Sequence, residues 1–394
     1  MNRTICILTT TRADYGLLRP LMQGLREDPQ MDLQIIATGM HLSPEFGMTV
    51  TEIEKDGFTV DSRPEILLSA DTGTAVAKTM GLTLLSIGDE LKRLQPDVFV
   101  VLGDRFESFA ATAAATACKL PIAHIHGGET TIGAMDEAFR HSMTKMAHLH
   151  FTSTEEYRRR VIQLGEEPDR VFTTGAPGID SIKEMALLSR EELQQRLDIF
   201  RLDRNLMVTF HPATLDRASA VSQFRELLKA LGALRDTGII LTRPNADSGG
   251  RELFQMIDDF VNERPDDRKA FVSMGHLNYL SAMAMADAVV GNSSSGIIEA
   301  PSFRVPTVNI GDRQAGRVRA PSVVDCAVDG ASIREALRKA LSPEFRASLG
   351  SMTNPYGDGG ASRKIKAVLE DFPLEGILKK RFHDVPVGQG EADR

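Results

Sequence analysis

The sequence predicts an α/β protein built from two doubly wound, Rossmann-like halves. The chain has 394 residues, which is too long for one ordinary hydrophobic core. Short apolar, β-branched runs alternate with helical patterns, as in βα units whose parallel sheets are buried on both faces. These runs form two sets of similar length, separated by a polar helical stretch over residues 188–205. We therefore expect two domains, each with its own parallel sheet.

The predicted strands divide evenly between the two halves. In the first half they are TICILTT, LQIIATG, DVFVVLGD, PIAHIHGG, LHFTST and VFTTGAP, and in the second half LMVTFHP, GIILTRP, AFVSMGH, AVVGNSS, TVNIGDR and SVVDCAV. This pattern predicts an N-terminal domain over residues 1–187, a connecting helix over 188–205, a C-terminal domain over 206–370 and a polar tail over 371–394.

The composition argues against several classes of protein. The net charge is −8 and both signs are interspersed, so the basic stripe of a nucleic-acid-binding protein is missing. No run approaches the roughly 20 apolar residues of a membrane span, and the first apolar segment is too short for a signal peptide. Cys6, Cys118 and Cys326 are far apart and beside apolar segments, so we interpret them as small core residues in a reducing compartment. We expect a cytoplasmic protein with no nucleic-acid or membrane partner.

Polar segments that contain glycine, histidine or arginine follow nearly every predicted strand. In open α/β sheets, ligands bind at the carboxyl ends of the strands. If the two domains face each other, these ends line one central cleft, and we expect the functional site there.

The segment GNSSSGIIEA follows one apolar run of the second half. A helix that starts near Ser295 or Gly296 would point free N–H groups at an anion, and Gly296 would allow close backbone approach. The hydroxyls of Ser293, Ser294 and Ser295 add donors. Glu299, one turn later, can accept hydrogen bonds from a ribose diol, or it can complete a capping box. Because one serine suffices for a cap, the three serines favour a site for a phosphate and a sugar.

Two strand ends of the first half each carry an acid and an arginine. In TTTRADYG, Arg12 can clamp a phosphate and Asp14 can cap the next helix. In VLGDRFES, Asp104 and Arg105 directly follow an apolar run. A surface arginine and a capping aspartate explain each pair equally well, so neither motif alone decides between structure and function.

The densest group of ionisable residues is the segment HIHGGETTIGAMDEAFRH. It contains His124, His126, Glu129, Asp136, Glu137, Arg140 and His141. On a helix that starts near Asp136, Glu137 and Arg140 are three residues apart, so an ion pair explains them. No metal-ligand spacing such as HExxH is present, and we expect no metal. Clustered carboxylates instead suit proton transfer, because burial and mutual repulsion raise a carboxyl pKa toward neutrality.

Three strand ends of the second half carry further candidates. His211 lies in TFHPAT, Arg243 and Asn245 lie in LTRPNADSGG, and His276 and Tyr279 lie in SMGHLNYLSAM. The last segment can contact a flat base, although Tyr279 at helical spacing is also explained as a core residue.

The chain resembles the hydrolysing UDP-N-acetylglucosamine 2-epimerases of sialic- and legionaminic-acid biosynthesis. The motifs that carry the resemblance run in order over residues 3–370: TRADYG, GDRFE, HIHGGE, DEAFRHSMTKMAHLHF, VIQLGEEPDRVFTTGAPGID, RPNAD and GNSSSGIIEA. The resemblance implies a GT-B fold, in which two Rossmann-like domains hold a UDP-linked sugar between them. It also implies that no cofactor is used and that the protein is a homodimer or homotetramer.

The resemblance further implies a reaction. A base removes the proton at C2 while UDP leaves from C1, which gives a 2-acetamidoglucal. Water then adds at C1 and a proton returns to C2 from the other face, which releases N-acetylmannosamine and UDP.

The resemblance also assigns roles to residues. Asp104 and Asp136 are the strongest candidates for proton transfer, followed by Glu129 and Glu137, with Arg140 orienting them. The leaving diphosphate and the rest of the nucleotide would be held by residues from both domains: Arg12, Asp14, Arg105, His211, Arg243, Asn245, His276, the turn 293–296 and Glu299.

Several alternatives remain open at this point. Non-hydrolysing relatives have a glutamate in H-x-E-A-G where this chain has His126, so either His126 or Glu129 takes that role. The substrate can be UDP-N-acetylglucosamine, UDP-2,4-diacetamido-2,4,6-trideoxyglucose or a GDP sugar. A GT-B glycosyltransferase and a catalytically inactive nucleotide-sugar sensor are further classes, and the acidic cluster argues against both.

Overall fold

Parallel strands and helices alternate along the chain in the computed structural model, which describes residues 2–68, 72–211, 217–243 and 250–386. Each of the runs predicted as a strand contains one. Short 3₁₀ helices lie at Gly39–Leu42, Pro44–Phe46, Pro168–Arg170, Ala300–Phe303 and Leu349–Ser351.

The first half contains a six-stranded parallel sheet within the described residues. Its strands are β1 (Arg3–Thr9), β2 (Met31–Ala37), β3 (Val98–Leu102), β4 (Ile122–Ile125), β5 (Leu149–Thr152) and β6 (Val171–Thr173). They lie in the order β2-β1-β3-β4-β5-β6. The helices are α1 (Arg12–Arg26), α2 (Val50–Lys55), α3 (Gly73–Leu94), α4 (Phe106–Ala117), α5 (Asp136–Met146), α6 (Glu155–Gln163), α7 (Gly178–Glu184) and α8 (Arg190–Leu197).

The second half contains another six-stranded parallel sheet, again counting the described residues. Its strands are β7 (Arg204–Thr209), β8 (Thr237–Thr242), β9 (Arg268–Phe271), β10 (Ala288–Gly291), β11 (Thr307–Ile310) and β12 (Val323–Cys326). They lie in the order β12-β11-β10-β7-β8-β9. The helices are α9 (Arg217–Gly232), α10 (Gly250–Glu263), α11 (His276–Met285), α12 (Ser295–Ile298), α13 (Gly330–Ala340), α14 (Pro343–Ser348) and α15 (Ala361–Asp371).

Both sheets are covered on their two faces, as the unbroken apolar runs predicted. Along β1, Ile5 and Ile7 pack in one core cluster, whereas Cys6 and Leu8 pack in another. Successive side chains of a strand point to opposite faces, so these two clusters lie on opposite sides of the sheet. The predicted fold class is therefore confirmed.

Each sheet has a point at which its strand order reverses direction. In the first sheet β1 pairs with β2 on one side and β3 on the other, and in the second sheet β7 lies between β8 and β10. Loops that leave adjacent strands in opposite directions open a crevice at the carboxyl ends of those strands. The fold therefore offers a ligand crevice beyond β1 and β3 and a second one beyond β7 and β10.

The end of the chain packs on the first half. Ile365 and Leu369 of α15, together with Ile377, are buried in the same core cluster as β1. The sequence pattern had grouped residues up to 370 with the second half, because a polar loop and an amphipathic helix carry no signal for which sheet they cover.

The cysteines and the helices bear on two further predictions. Cys6 is buried and Cys326 is half-buried, but Cys118 is exposed at the end of α4, so its assignment as a core residue was wrong. α4 ends at Ala117, and the last buried residue of this helix is Ala115. In the described part of the chain, every helix is too short or too polar to cross a membrane.

Candidate active site

A cavity of about 230 Å³ lies at the carboxyl ends of the strands where both sheets reverse order, and both halves contribute to its wall. Nine residues predicted from the sequence line it: Asp14, Asp104, Arg105, His126, Glu129, Asp136, Arg140, Ser294 and Glu299. The expectation that ligands bind at the carboxyl ends of the strands therefore located the site, although candidates at other strand ends lie outside the cavity wall.

Asp14 holds the turn between β1 and α1. Its carboxylate accepts hydrogen bonds from the backbone N–H groups of Thr10 and Thr11 and from the hydroxyls of Thr9 and Thr10, at 2.5 to 3.1 Å. Burial raises the pKa of Asp14, but these bonds and His41 outweigh burial and lower it below its usual range. Thr11 and Asp14 form a capping box, so the capping interpretation explains Asp14 even though it borders the cavity.

Arg140 is the buried cation around which the acids of the first half are arranged. Its side chain is 1% exposed and ion-pairs with Asp104 at the end of β3 and with Glu137 on its own helix. It also donates to the Glu129 carbonyl and the Thr131 hydroxyl, both at 2.8 Å. Burial lowers the pKa of Arg140, but the three surrounding acids raise it above its usual range. The predicted start of α5 at Asp136 and the Glu137–Arg140 pair are confirmed.

The contacts of Glu137 favour its ionised form, so this residue is poorly suited to carry a proton. One oxygen accepts from the Thr131 backbone N–H at 2.7 Å, and the other lies 3.2 Å from His141. Burial raises its pKa, but His141 and Arg140 together lower it to about 2. Glu137 lies outside the cavity wall, so the geometry favours a role in orienting Arg140.

His126 and Glu129 form a buried pair beyond β4. The imidazole Nδ1 lies 2.5 Å from Glu129 Oε1, which also accepts from the Ser153 hydroxyl at 2.9 Å. Glu129 Oε2 lies 2.8 Å from Arg317, which comes from the second half. Burial raises the pKa of Glu129, but Arg317 and His126 outweigh it and hold that pKa well below its usual range.

Glu299 is a carboxyl group of a different kind, which the second half contributes to the cavity wall. Burial raises its pKa to about 7. Within the described residues its buried Oε2 has no hydrogen-bond partner, and its Oε1 lies beside Gly178 of α7. A Cβ at Gly178 would come within 2.9 Å of that oxygen, so only glycine leaves this space open.

The serine turn divides its three hydroxyls between structure and cavity. The Ser295 hydroxyl lies 2.6 Å from the Tyr279 hydroxyl and 3.1 Å from the Ser293 hydroxyl, so these two serines bond within the second half. Ser294 alone of the three lines the cavity. The predicted helix start at Ser295 is confirmed, but α12 has only four residues.

Gly296 serves the packing of α12 rather than the cavity. A Cβ there would meet Thr307 Cγ2 on β11 at 2.7 Å, and the Thr307 hydroxyl donates to the Gly296 carbonyl at 2.7 Å. The close approach expected of Gly296 therefore exists, but the partner is the sheet.

Several other candidates lie away from the cavity wall. His211 contacts Asn292 through its backbone, Arg243 ion-pairs with Asp258, and His276 packs against Gly16 of α1. Arg12 stands at the first turn of α1 outside the wall. The predicted ligand residue Asn245 lies outside the described residues.

The structure adds cavity residues that the sequence did not single out, among them Thr131, Arg313 and Arg317. Arg313 is the last residue of the predicted run TVNIGDR, so a search of the carboxyl end of that strand would have found it. Arg317 lies four residues further along a loop, where no sequence signal marks it. Asn292 ties the loop to the strand ends, because its carbonyl accepts from Arg313 and Gln314 at 3.0 and 2.8 Å.

His124 is held by hydrogen bonds that serve the fold. Its Nε2 lies 2.7 Å from the Gly103 carbonyl and its Nδ1 lies 3.2 Å from the Thr144 hydroxyl, so the ring holds the end of β3. Across the described residues, no three His, Cys, Asp or Glu side chains are grouped as metal ligands.

Two facing Rossmann-like sheets with a shared cavity at their strand ends define a GT-B-type protein. The model of the family described as UDP-N-acetylglucosamine 2-epimerase matches residues 23–370, and the chain belongs to this family. The resemblance inferred from the motifs is thereby confirmed.

Relatives cover nearly the whole chain. It is 40% identical to the "GDP/UDP-N,N'-diacetylbacillosamine 2-epimerase (hydrolyzing)" of Campylobacter jejuni, over 98% of this chain and 100% of that protein. It is 37% identical to the polysialic acid biosynthesis protein P7 of Escherichia coli, over 98% of each chain. It is 36% identical to the "UDP-N,N'-diacetylbacillosamine 2-epimerase (hydrolyzing)" of Legionella pneumophila, over 96% of this chain and 99% of that one.

The fold matches that of a solved structure. The UDP-GlcNAc 2-epimerase from Neisseria meningitidis, solved bound to UDP-GlcNAc, superimposes with a TM-score of 0.79 over 93% of this chain and 99% of that one, at 19% identity.

Proposed function

We propose that this protein is a hydrolysing 2-epimerase that converts a UDP-linked 2-acetamido sugar into UDP and the free sugar with inverted configuration at C2. One observation carries the proposal: the cavity joins a set of acids and a histidine from the first half to Ser294, Glu299 and Arg313 from the second. The first set suits proton transfer, and the second suits a nucleoside diphosphate.

The substrate that we favour is UDP-2,4-diacetamido-2,4,6-trideoxyglucose, which is UDP-N,N'-diacetylbacillosamine. Two relatives at 40% and 36% identity carry this sugar in their names. UDP-N-acetylglucosamine is the second candidate, because the description of the family model names it. Both sugars carry the 2-acetamido group at the carbon where the chemistry takes place.

In the first proposed step, a base takes the proton at C2, the C2–H electrons form the C1=C2 bond, and the C1–O electron pair leaves with UDP. Arg313 and the Ser294 turn would stabilise the charge on the leaving diphosphate. Water then adds at C1 and releases one proton to solvent, while Asp104 or Asp136 would supply a proton to C2 from the other face. Glu299 would hold the ribose.

The test is an incubation of the protein with each sugar nucleotide in deuterated water, without an acceptor, followed by NMR. We expect UDP to appear together with a free sugar of inverted C2 configuration that carries deuterium at C2. The ratio of kcat/KM for the two sugars assigns the substrate.

Two results would redirect the proposal. UDP release that requires an added acceptor would identify a GT-B glycosyltransferase. Interconversion of the two epimeric UDP-sugars without UDP release would place the protein with reversible, non-hydrolysing enzymes.

A further inference from the structure

Glu129 is poorly placed to carry a proton itself. Both of its oxygens are engaged: Oε1 accepts from His126 and Ser153, and Oε2 faces Arg317 at 2.8 Å. Its side chain is 4% exposed. Because Arg317 and His126 favour its ionised form more than burial disfavours it, its pKa lies well below the usual range. A carboxylate held in this way at neutral pH acts as an acceptor of fixed hydrogen bonds.

His126 is the partner that remains able to exchange a proton. An ionised Glu129 can only accept, so Nδ1 of the ring carries the hydrogen and Nε2 keeps its lone pair. The ring borders the cavity. A carboxylate that fixes the tautomer of a histidine is the arrangement by which a second group prepares an imidazole to act as a base.

The backbone holds this ring in a fixed direction. His126 has a φ of +69°, in the left-handed region, and its N–H donates to the Phe151 carbonyl at 2.9 Å. Gly128 follows with a φ of +79°, where a Cβ would come within 2.5 Å of the Tyr157 carbonyl oxygen. A non-glycine residue in this conformation persists only where the surrounding contacts impose it.

We propose that His126 is the base that takes the C2 proton, and that Glu129 and Arg317 are positioning residues that hold its tautomer. This inference rests on the proposed function and answers which of His126 and Glu129 exchanges the proton. In the step, Nε2 gains the proton, the C2–H electrons form the C1=C2 bond, and UDP departs with the C1–O electron pair. The resulting imidazolium is stabilised by ionised Glu129 and returns its proton to solvent after hydration.

The position of Arg317 makes the arrangement depend on contact between the two halves. Besides Glu129, its guanidinium donates to the Thr130 carbonyl at 2.7 Å. The Ala315 carbonyl accepts from the Thr130 hydroxyl at 3.0 Å, and the Val318 N–H donates to the Tyr157 hydroxyl at 2.9 Å. The loop that carries Arg317 is thus bonded across the cavity to the turn that carries His126 and Glu129. Contact between the two halves therefore helps to hold the base in its orientation.

Several charged groups surround His126. Glu299 and Arg317 approach from the second half, Arg140 approaches from α5, and Glu129 lies on the same turn as His126. Replacing Arg317 with a neutral residue removes a positive charge, which raises the pKa of Glu129 and favours a protonated pair. When the solution is acidified, the neutral base is then already lost by protonation at a higher pH. The acid limb of the kcat/KM profile therefore moves to higher pH.

The first test removes the ring without straining the turn. In His126→Gly the positive φ suits glycine, and removal of the histidine side chain leaves space for a free imidazole. We expect kcat to fall by about 100-fold or more and to be partly restored by imidazole but not by acetate. Failure of imidazole to restore activity, or restoration by acetate, overturns the proposal.

The second test needs no activity. A hydrogen held between His126 Nδ1 and an ionised carboxylate gives a far-downfield proton resonance, which His126→Asn identifies by its loss. We expect Glu129→Gln to abolish the resonance as well, since an amide cannot accept in the same way. If the resonance is missing from the unmodified protein or survives Glu129→Gln, the proposed pairing is wrong. This readout stands even if neither sugar is turned over, which would defeat the proposed function alone.

The third test concerns Arg317 and has a charge-matched control in the second half. Arg346 on α14 pairs with Asp287 at 2.6 Å and lies outside the cavity wall, so Arg346→Gln removes an equal charge. We expect Arg317→Gln to lower kcat more than it raises KM and to move the acid limb to higher pH, with partial recovery in Arg317→Lys. An unchanged pH profile, or the same shift in Arg346→Gln, contradicts the role of Arg317.

Discussion

Glu299 shows how one half-buried residue can give the site its own pH dependence. Its carboxyl group has a pKa raised to about 7, because burial disfavours the charged form and Oε2 has no partner within the described residues. Near neutrality both forms are populated, so the group can accept from a ribose hydroxyl and, when protonated, can also donate. The sequence identified the residue, but only its surroundings determine its charge.

Glu299 is therefore expected to make the protein less stable as pH rises. A pKa raised in the folded state stabilises the fold below the unfolded value of about 4.5, and this contribution is lost as pH rises through about 7. Glu299→Gln removes that dependence, worth on the order of 1–3 kcal/mol between pH 5 and pH 8. Urea unfolding at both pH values measures it, with Glu335→Gln on the exposed face of α13 as control. Parallel pH dependences in the variant and the unmodified protein would contradict the assignment.

Asp104 is expected to contribute to turnover rather than to nucleotide affinity. It lines the cavity from the first half, whereas Ser294 and Arg313 line it from the second. Asp104→Asn keeps an oxygen acceptor for the buried Arg140 but removes the ionisable proton. We expect kcat to fall by about 10² to 10⁴ with UDP affinity nearly unchanged. UDP titration calorimetry beside the UDP-release assay checks both, and loss of UDP binding would move Asp104 to the nucleotide site.

At the scale of elements, α12 has a start that the sequence predicted and a length that it did not. The serine and glycine pattern indicated a helix from Ser295, and the structure ends it at Ile298 before a 3₁₀ turn over Ala300–Phe303. Pro301 stands within that turn, and proline disfavours a continuing α-helix. A helix of four residues is too short to be stable alone, and this one is also held by contact with β11 through the Thr307 hydroxyl.

Gly296→Ala is therefore expected to destabilise the fold before it affects the ligand. The added Cβ would meet Thr307, whose rotamer is fixed by its hydrogen bond to the Gly296 carbonyl. Overpacking of this kind costs about 1–3 kcal/mol. Gly81→Ala within α3 is the control, because nothing lies within 4 Å of its Cβ, and it should stabilise by up to about 1 kcal/mol. Thermal unfolding compares them, and weakened UDP binding without lower stability in Gly296→Ala would restore the ligand-contact interpretation.

At the scale of the whole molecule, the chain crosses from the first half to the second and returns. The last helix and the segment after it cover the first core, and Lys380 extends this contact by pairing with the buried Glu166. Glu166 also binds Lys145 and His150, so three cationic or titratable groups converge on one buried carboxylate. Burial raises the pKa of Glu166, but these partners outweigh it and lower that pKa to about 2.

Because α15 packs on the first half, we expect a substitution that reduces its packing to destabilise the first half more than the second. Leu369→Ala empties a fully buried position in the first core and should cost about 2–5 kcal/mol. Amide hydrogen exchange is expected to rise in β1 and α1 more than in β11 and α13. Leu337→Ala in α13, buried in the second core, is the matched control with the reverse pattern. Equal loss of protection in both halves after either substitution would mean that the two cores unfold as one unit.

The parts of the site that could be predicted are those that a strand end brings into place. Asp104, His126 and Ser294 each follow an apolar run within a few residues, and parallel strands present their carboxyl ends at one edge. Arg317 could not be found in this way, because its loop reaches the other half and no local pattern records that contact. Gly296 shows the same limit. It lies at a strand end as expected, but no local pattern indicated that its close contact would be with Thr307.

The sequence by itself determined the alternation of strands and helices, the two sheets, the family and most of the acids at the cavity. These follow from periodicity and local turn chemistry, which act over neighbouring residues. Only the tertiary structure decided which acids are locked as carboxylates and which can exchange a proton. Charge state depends on burial and on partners brought close by the fold, as Arg140 beside Glu137, Arg317 beside Glu129, and the Glu299 oxygen without a partner among the described residues show.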